Sequence, residues 1–298
     1  MTEKPEILNA LAANASAVSD VLDALLRECN GHEKKLMEAM RYASLAGGKR
    51  VRPFLVTASA ALFDVPPERA LRAAAAVEMV HCYSLIHDDL PAMDDDDLRR
   101  GQPTCHIAYD EAMAILAGDG LLTLAFEVLA QVATHPDGGI RADLVLALAK
   151  ASGHEGMVGG QVLDIYADEH DLDLDEISRL QRMKTGALIT VSCAMGAILG
   201  QATYVERAAL DAYARDIGLA FQIADDLLDV EGSEDEVGKK IGKDEDAGKA
   251  TFVSLLGIEA AHAKAHALSE QAQEHLAIFG EKADSLRDLA KFIVNRRS

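Results

Sequence analysis

The chain has 298 residues, 49% of them hydrophobic, with 49 acidic against 29 basic side chains and a net charge of −20. That length and apolar content can bury a large core in one domain or two smaller ones, and the negative charge argues against nucleic acid or an anionic membrane as partner. The cysteines, Cys29, Cys82, Cys105 and Cys193, show no CxxC spacing and read as small core residues; with no signal peptide and no long uncharged apolar run, the sequence reads as a soluble cytoplasmic protein.

Apolar periodicity predicts helices throughout. Residues 7–28 set Ile7, Leu11, Val18, Leu22 and Leu25 at three- and four-residue steps and stop at Asn30 and Gly31. A second helix covers 33–46 and stops at Gly47 and Gly48, followed by the basic stretch GGKRVRP, in which Pro53 suits the first turn of a helix towards Phe63. Pro66 and Pro67 open a long apolar helix to Leu90, where Pro91 ends it. Helices near 107–117 and 121–133 are expected on either side of Gly118-Asp119-Gly120, and Pro136 to Gly139 is a turn. Further helices are expected over 140–151 and 155–166, from Glu176 (capped by Asp175) to about 200, and over 205–230, 250–278 and 283–296. The acidic stretch 167–175 and the charged stretch 231–248 read as loops. No sustained period-two alternation appears, so the expected fold is a single all-α domain spanning 1–298.

Six carboxylates, Asp88, Asp89 and Asp94 to Asp97, crowd into ten residues after the long helix. Asp88 and Asp89 fall in its last turn, the negative end of the helix dipole, which disfavours carboxylates by about 0.3–1 kcal/mol each. A bound cation reverses that sign. A second cluster lies in FQIADDLLDV, where Asp225 and Asp229 share a helix face with Gln222 one turn earlier and Asp226 beside them. Asp95 to Asp97 alone read as a solvated loop, and the second cluster alone reads equally well as a solvated patch; Asp88 and Asp89 do not, because apolar sequence runs right up to them, and two clusters, each on an apolar helix, form a stronger signal. All these ligands are carboxylate oxygens, which suits a hard ion, Mg²⁺ or Mn²⁺, rather than zinc. EF-hand glycine spacing and paired ExxH motifs are both missing. Basic side chains sit where a diphosphate would need them: Lys49, Arg50 and Arg52, then Arg99 and Arg100, then Lys239, Lys240 and Lys243.

Together these stretches resemble the trans-prenyltransferase (polyprenyl diphosphate synthase) family. GGKRVRP, HDDLPAMDDDDLRRGQPTCH, GGQVLDI, KTGALI, FQIADDLLDV and GKKIGKD stand in the family's order across nearly the whole chain, most similar to its bacterial farnesyl diphosphate branch. The resemblance implies an isoprenoid synthase-type bundle of ten or more helices around a central cavity, and a homodimer. It implies Mg²⁺ ligands at Asp88, Asp94 and Asp225, with Asp89 supporting; DDLPAMD carries two residues more than DDxxD. It assigns Lys49, Arg52, His81 and Arg100 to isopentenyl diphosphate and Arg99, Lys184, Thr185, Gln222 and Lys239 to the allylic diphosphate. Gln161 and Asp164 fall near the reacting carbons, and Arg296 and Arg297 form a basic closing tail. Val253 stands where relatives often have Pro, which leaves that loop's conformation open.

The implied reaction condenses isopentenyl diphosphate with dimethylallyl and geranyl diphosphate. Tyr83 and Ser84, five and four residues before Asp88, resemble the positions that limit product length. Five helical residues span about 7.5 Å, so Tyr83 can floor a short pocket, which points to farnesyl diphosphate, with a geranylgeranyl synthase as the alternative. A class I terpene cyclase needs an aromatic-lined pocket, and the chain has no Trp and only 7 Phe. A non-catalytic cation-binding scaffold leaves the basic clusters unexplained.

Overall fold

The computed structural model describes residues 6–167, 170, 172–231 and 251–295. The chain divides into two compact units, residues 1–57 with 65–145, and residues 58–64 with 146–298. As expected, the fold is all-α; the described residues add only a pair of two-residue strands.

The first unit is built on helices α1 (Glu6–Leu25), α2 (Lys34–Leu45), the start of α3 (Val51–Ala61), α4 (Pro67–Asp88), the short α5 (Cys105–Ala108) and α6 (Glu111–Ala130). It includes the start of α7 (Gly138–Ser152). α4 is its axis. Ala73 to Val80 are all buried, so α4 is covered on every side, the condition of a core helix; α1, α2 and α6 pack around it.

Gly118 and Gly120 do not break α6, contrary to the expectation of two helices. A Cβ on Gly118 would lie 2.2 Å from His87 Nε2, and one on Gly120 would lie 3.0 Å from Met40 Sδ. The glycines make room for α4 and α2, and tertiary packing overrides the propensity cost of about 1 kcal/mol each. α6 is long and apolar enough to cross a membrane by length and composition alone, but it packs on α4 and α2 here and carries Asp119 midway.

In the second unit come α8 (Met157–Ala167), α9 (Leu174–Gln181), a π-helical turn (Arg182–Gly186), α10 (Ala187–Leu199) and α11 (Tyr204–Glu231). α12 (Phe252–Leu256), α13 (Ile258–His275), a 3₁₀ segment (Ala277–Ala283) and α14 (Asp284–Asn295) follow. α11 packs on α10, α13 and α14. Ile177, Ile223, Leu227, Phe252, Val253, Ala261 and Ala265 form one apolar cluster there. Two boundaries differ from expectation. Asp173, not Asp175, caps α9, because its carboxylate reaches the N–H groups of Asp175 and Glu176 while Glu176 bonds back in a capping box. The helix expected over 250–278 is divided at Gly257, whose φ of +82° glycine tolerates. Val253 takes the second position of α12, where the N–H needs no intrahelical acceptor; both Val and Pro fit such a site.

All four cysteines are free; Cys82, Cys105 and Cys193 are buried core residues as the sequence suggests, whereas Cys29 is half-buried. Tyr213 is fully buried in α11 and donates its hydroxyl to the Leu286 carbonyl of α14 at 2.7 Å. Tyr213→Phe removes that bond without changing the packing. Chemical denaturation should show a loss of about 1 kcal/mol.

Candidate active site

The end of α4 sets the geometry in the first unit. α4 stops at Asp88, and Asp89 is its C-cap, with its N–H bonded to Leu85 O at 3.1 Å. The chain then folds back on itself: Asp94 N–H donates to Asp88 O at 2.8 Å, and Asp95, at φ +51°, donates to Leu90 O. The two extra residues of DDLPAMD are accommodated in this return, which brings Asp94 alongside Asp88 despite the six-residue separation. Asp88 is half-buried and Asp94 exposed. Asp89, in contrast, is buried. Its carboxylate is 4% exposed and takes Nε and Nη2 of Arg99 at 2.5–3.0 Å. Burial pushes the Asp89 carboxyl upward, and Arg99 pulls it partly back.

Arg99 lies on the first strand (Leu98–Arg99) of a hairpin whose second strand is Gln102–Pro103. Arg100 and Gly101 form its two-residue turn, both with positive φ, 52° and 76°, as a type I′ turn requires. The turn presents Arg100 to the Gly47–Gly48 loop. Arg100 Nη1 donates to Gly47 O, and a Cβ on Gly48 would lie 2.8 Å from the Arg100 guanidinium. Gly48, at φ +120°, is thus required both by its backbone and by its neighbour.

Of the basic run after α2, Lys49 is exposed, Arg52 half-buried and Arg50 buried. Arg52 Nη1 lies 3.5 Å from His81 Nε2. Burial, then the charges of Arg52, Arg100, Arg99 and Arg50, hold the His81 pKa well below its ordinary value. His81 is therefore neutral near pH 7, so it offers a hydrogen bond without adding charge. Arg50 does not join this outward set. Its Nη1 meets Glu78 Oε1 at 3.1 Å and its Nη2 donates to Ser44 O at 2.9 Å. Sequence reasoning grouped Arg50 with the diphosphate-facing bases and missed Glu78. The available signal was one carboxylate inside the apolar run of α4.

Tyr83 is 7% exposed and stacks edge-on against His87, one turn later, with ring centroids 5.4 Å apart. Burial, followed by Asp88 and Asp119, raises its pKa. Ser84 donates to His81 O at 2.8 Å, a bond within the helix itself.

The second unit holds the other set. Lys184 and Thr185 sit in the π-helical turn, both half-buried. Lys184 Nζ bonds Asp164 Oδ2 of α8 at 2.5 Å. A Cβ on Gly160 would fall 2.2 Å from Lys184 N, so the second glycine of GGQVLDI lets α8 approach the backbone of the turn. Gln161 is half-buried one turn before Asp164. On α11, Gln222, Asp225 and Asp229 share a face and are half-buried, whereas Asp226 is buried and accepts the Phe252 N–H at 2.9 Å, receiving the start of α12. Lys239, Lys240, Lys243, Arg296 and Arg297 lie outside the described residues.

The donor chemistry fits Mg²⁺ held jointly with a diphosphate. Among the described residues, no three His, Cys, Asp or Glu side chains gather closely enough to hold an ion alone. Asp88 and Asp94 make a carboxylate pair at the end of α4, while Asp89 and Asp226 are committed to protein partners. Mg²⁺ is commonly bound by one or two carboxylates, the remaining ligands coming from phosphate oxygens and water.

Comparison with known proteins agrees with the motifs. The family described as Polyprenyl synthetase matches residues 33–293. The farnesyl diphosphate synthase of Escherichia coli is 48% identical over 267 residues, covering 88% of this chain and 89% of its own. A geranylgeranyl diphosphate synthase of Cyanophora paradoxa is 41% identical over 293 residues, covering 98% and 97%. A crystal structure of an FPP/GFPP synthase from Zymomonas mobilis superposes with a TM-score of 0.88 at 49% identity, covering 97% of this chain and 98% of that one. The chain belongs to the polyprenyl synthetase family.

His81 gives a pH test. Its pKa is depressed in the fold, so its contribution is fully present above the unfolded value of about 6.5 and is lost as the pH falls towards the folded value. Between pH 7 and pH 5.5 the wild type should lose more thermal stability than His81→Gln, measured by melting each protein in matched buffers.

Proposed function

We propose that this short-chain trans-prenyltransferase condenses isopentenyl diphosphate with dimethylallyl and then geranyl diphosphate, releasing pyrophosphate and farnesyl diphosphate. The observation that carries this reading is the stretch from Asp88 to Arg100. In 13 residues it sets a carboxylate pair beside a hairpin whose turn arginine meets the Gly47–Lys49 loop.

In this reading Lys49, Arg52 and Arg100 hold the isopentenyl diphosphate, with neutral His81 as a hydrogen-bonding partner. Arg99, Lys184, Lys239, Thr185 and Gln222 bind the allylic diphosphate, and their positive charge grows in value as the leaving group gains charge. Asp88, Asp94 and Asp225 are the ligands of Mg²⁺, with Mn²⁺ as a substitute. When bound, the ion withdraws charge from the diphosphate oxygens and favours their departure. Cleavage of the allylic C–O bond sends its electron pair to pyrophosphate. The isopentenyl double bond then adds to the allylic carbon, and the proton lost from the new cation goes to the released pyrophosphate. Asp89 positions Arg99, while Asp164, ion-paired to Lys184, and Gln161 stand near the reacting carbons.

The whole chain, 1–298, acts as one functional domain in this reading, as a cytoplasmic homodimer. Exposed Ile115 and Leu116 on α6 supply apolar surface for a subunit contact. Buried Tyr83, braced by His87, supports a product floor that stops elongation at fifteen carbons.

Incubation with Mg²⁺, labelled isopentenyl diphosphate and dimethylallyl diphosphate should give mainly the fifteen-carbon alcohol after dephosphorylation. Tyr83→Ala should move the products to twenty carbons or more. Long products from the wild type would keep the chemistry and remove Tyr83 as the floor. Refusal of dimethylallyl, geranyl and farnesyl diphosphates alike would overturn the reading.

A further inference from the structure

The Arg50–Glu78 pair is the most deeply buried ion pair among the described residues, with side chains 1% and 2% exposed. Replacing a buried pair by apolar residues is often neutral or stabilising, so such a pair is weak evidence of a stabilising role. Its surroundings indicate what else it does. Arg50 lies in the left-handed region, φ +47°, between exposed Lys49 and half-buried Arg52. That turn sends its side chain inward, whereas Lys49 beside it is exposed. The guanidinium meets Ser44 O at the carboxyl end of α2, where the dipole favours a cation, and Glu78 in the middle of α4. The loop 46–50 is thereby tied to two helices through one side chain. Glu78 is three residues before His81, and its second oxygen, Oε2, is buried without a hydrogen-bond partner. Burial raises the Glu78 pKa, and the charges of Arg50, Arg52 and Arg100 oppose that rise.

We propose that Arg50 and Glu78 are positioning residues for isopentenyl diphosphate: Arg50 fixes the loop that carries Lys49 and leads into Arg52 at the start of α3, and Glu78 supplies the buried counter-charge that lets three arginines stand together before the anion arrives. The proposal rests on the prenyltransferase reading above. Neither residue touches the substrate. Their effect reaches it through Lys49, Arg52, Arg100 and His81, so it falls on one of the two substrates.

The test is a double variant, Arg50→Met with Glu78→Met, which removes both charges and keeps apolar volume so that the core stays filled. Circular dichroism and a thermal melt report the fold. The KM for isopentenyl diphosphate should rise about tenfold or more, while that for geranyl diphosphate stays within about twofold. Glu78→Gln, which keeps an acceptor for Arg50 Nη1, should show a smaller rise with the same selectivity and covers the case in which the double variant does not fold. Arg50→Lys, with charge but no fork, should not restore affinity. A folded variant whose KM values are both unchanged, or rise equally, overturns the proposal and leaves the enzyme reading intact. Calorimetry on the wild type separates the other failure: if it binds no isopentenyl diphosphate in the presence of Mg²⁺ and a geranyl diphosphate analogue, the functional reading falls and this proposal falls with it.

Discussion

Asp89 takes both Nε and Nη2 of Arg99 at the point where α4 can no longer continue. Pro91 forbids another helical turn, and the apolar helix delivers Asp89 to a buried place where an unpaired carboxylate would be costly. Arg99 resolves that cost ten residues later, and in doing so fixes the hairpin. The hairpin's turn then places Arg100 against Gly47 and Gly48. One ion pair therefore orders a loop, a strand pair and a neighbouring loop. The return of the chain is closed by Asp94 N–H on Asp88 O, which brings these two residues together at the helix end.

Much of this was legible in the sequence, and the failures share a cause. Helix periodicity, the stop at Pro91 and the two acidic clusters follow from local chemistry. Gly118 and Gly120 misled because glycine reads as a breaker, while here its missing Cβ admits His87 and Met40 from other helices. Asp175 reads as the cap because it directly precedes Glu176, but the reciprocal bond from Glu176 makes Asp173 the cap. The Arg100-Gly101 turn escaped because arginine is not a usual residue at positive φ, and the contact that holds it comes from 53 residues away. Arg50 was grouped with Lys49 and Arg52 because adjacency in sequence carries no information on which way a side chain turns. In each case the deciding contact is long-range or conformational.

The charge balance explains how a chain of net charge −20 can receive diphosphates. Arg50, Arg52, Arg99 and Arg100 all act on His81, so the positive potential is concentrated on a few groups of the first unit. A protonated histidine among them would add repulsion. The fold keeps it neutral instead, and spends two carboxylates, Asp89 and Glu78, on stabilising arginines rather than on binding a cation.

The π-helical turn at Arg182–Gly186 has a further meaning for how such a chain can change. A π-turn is one residue more than a regular helix needs. That residue rotates everything after it by about 100° about the helix axis, since 3.6 residues make a turn. α10 behind it is buried on nearly all sides and tolerates no rotation, while Lys184 within the turn meets Asp164 and Gly160. The extra residue uncouples these two demands. Insertions and deletions are usually confined to loops; here the surplus residue is held inside a helix, where it sets the phase between a rigid core and a polar site.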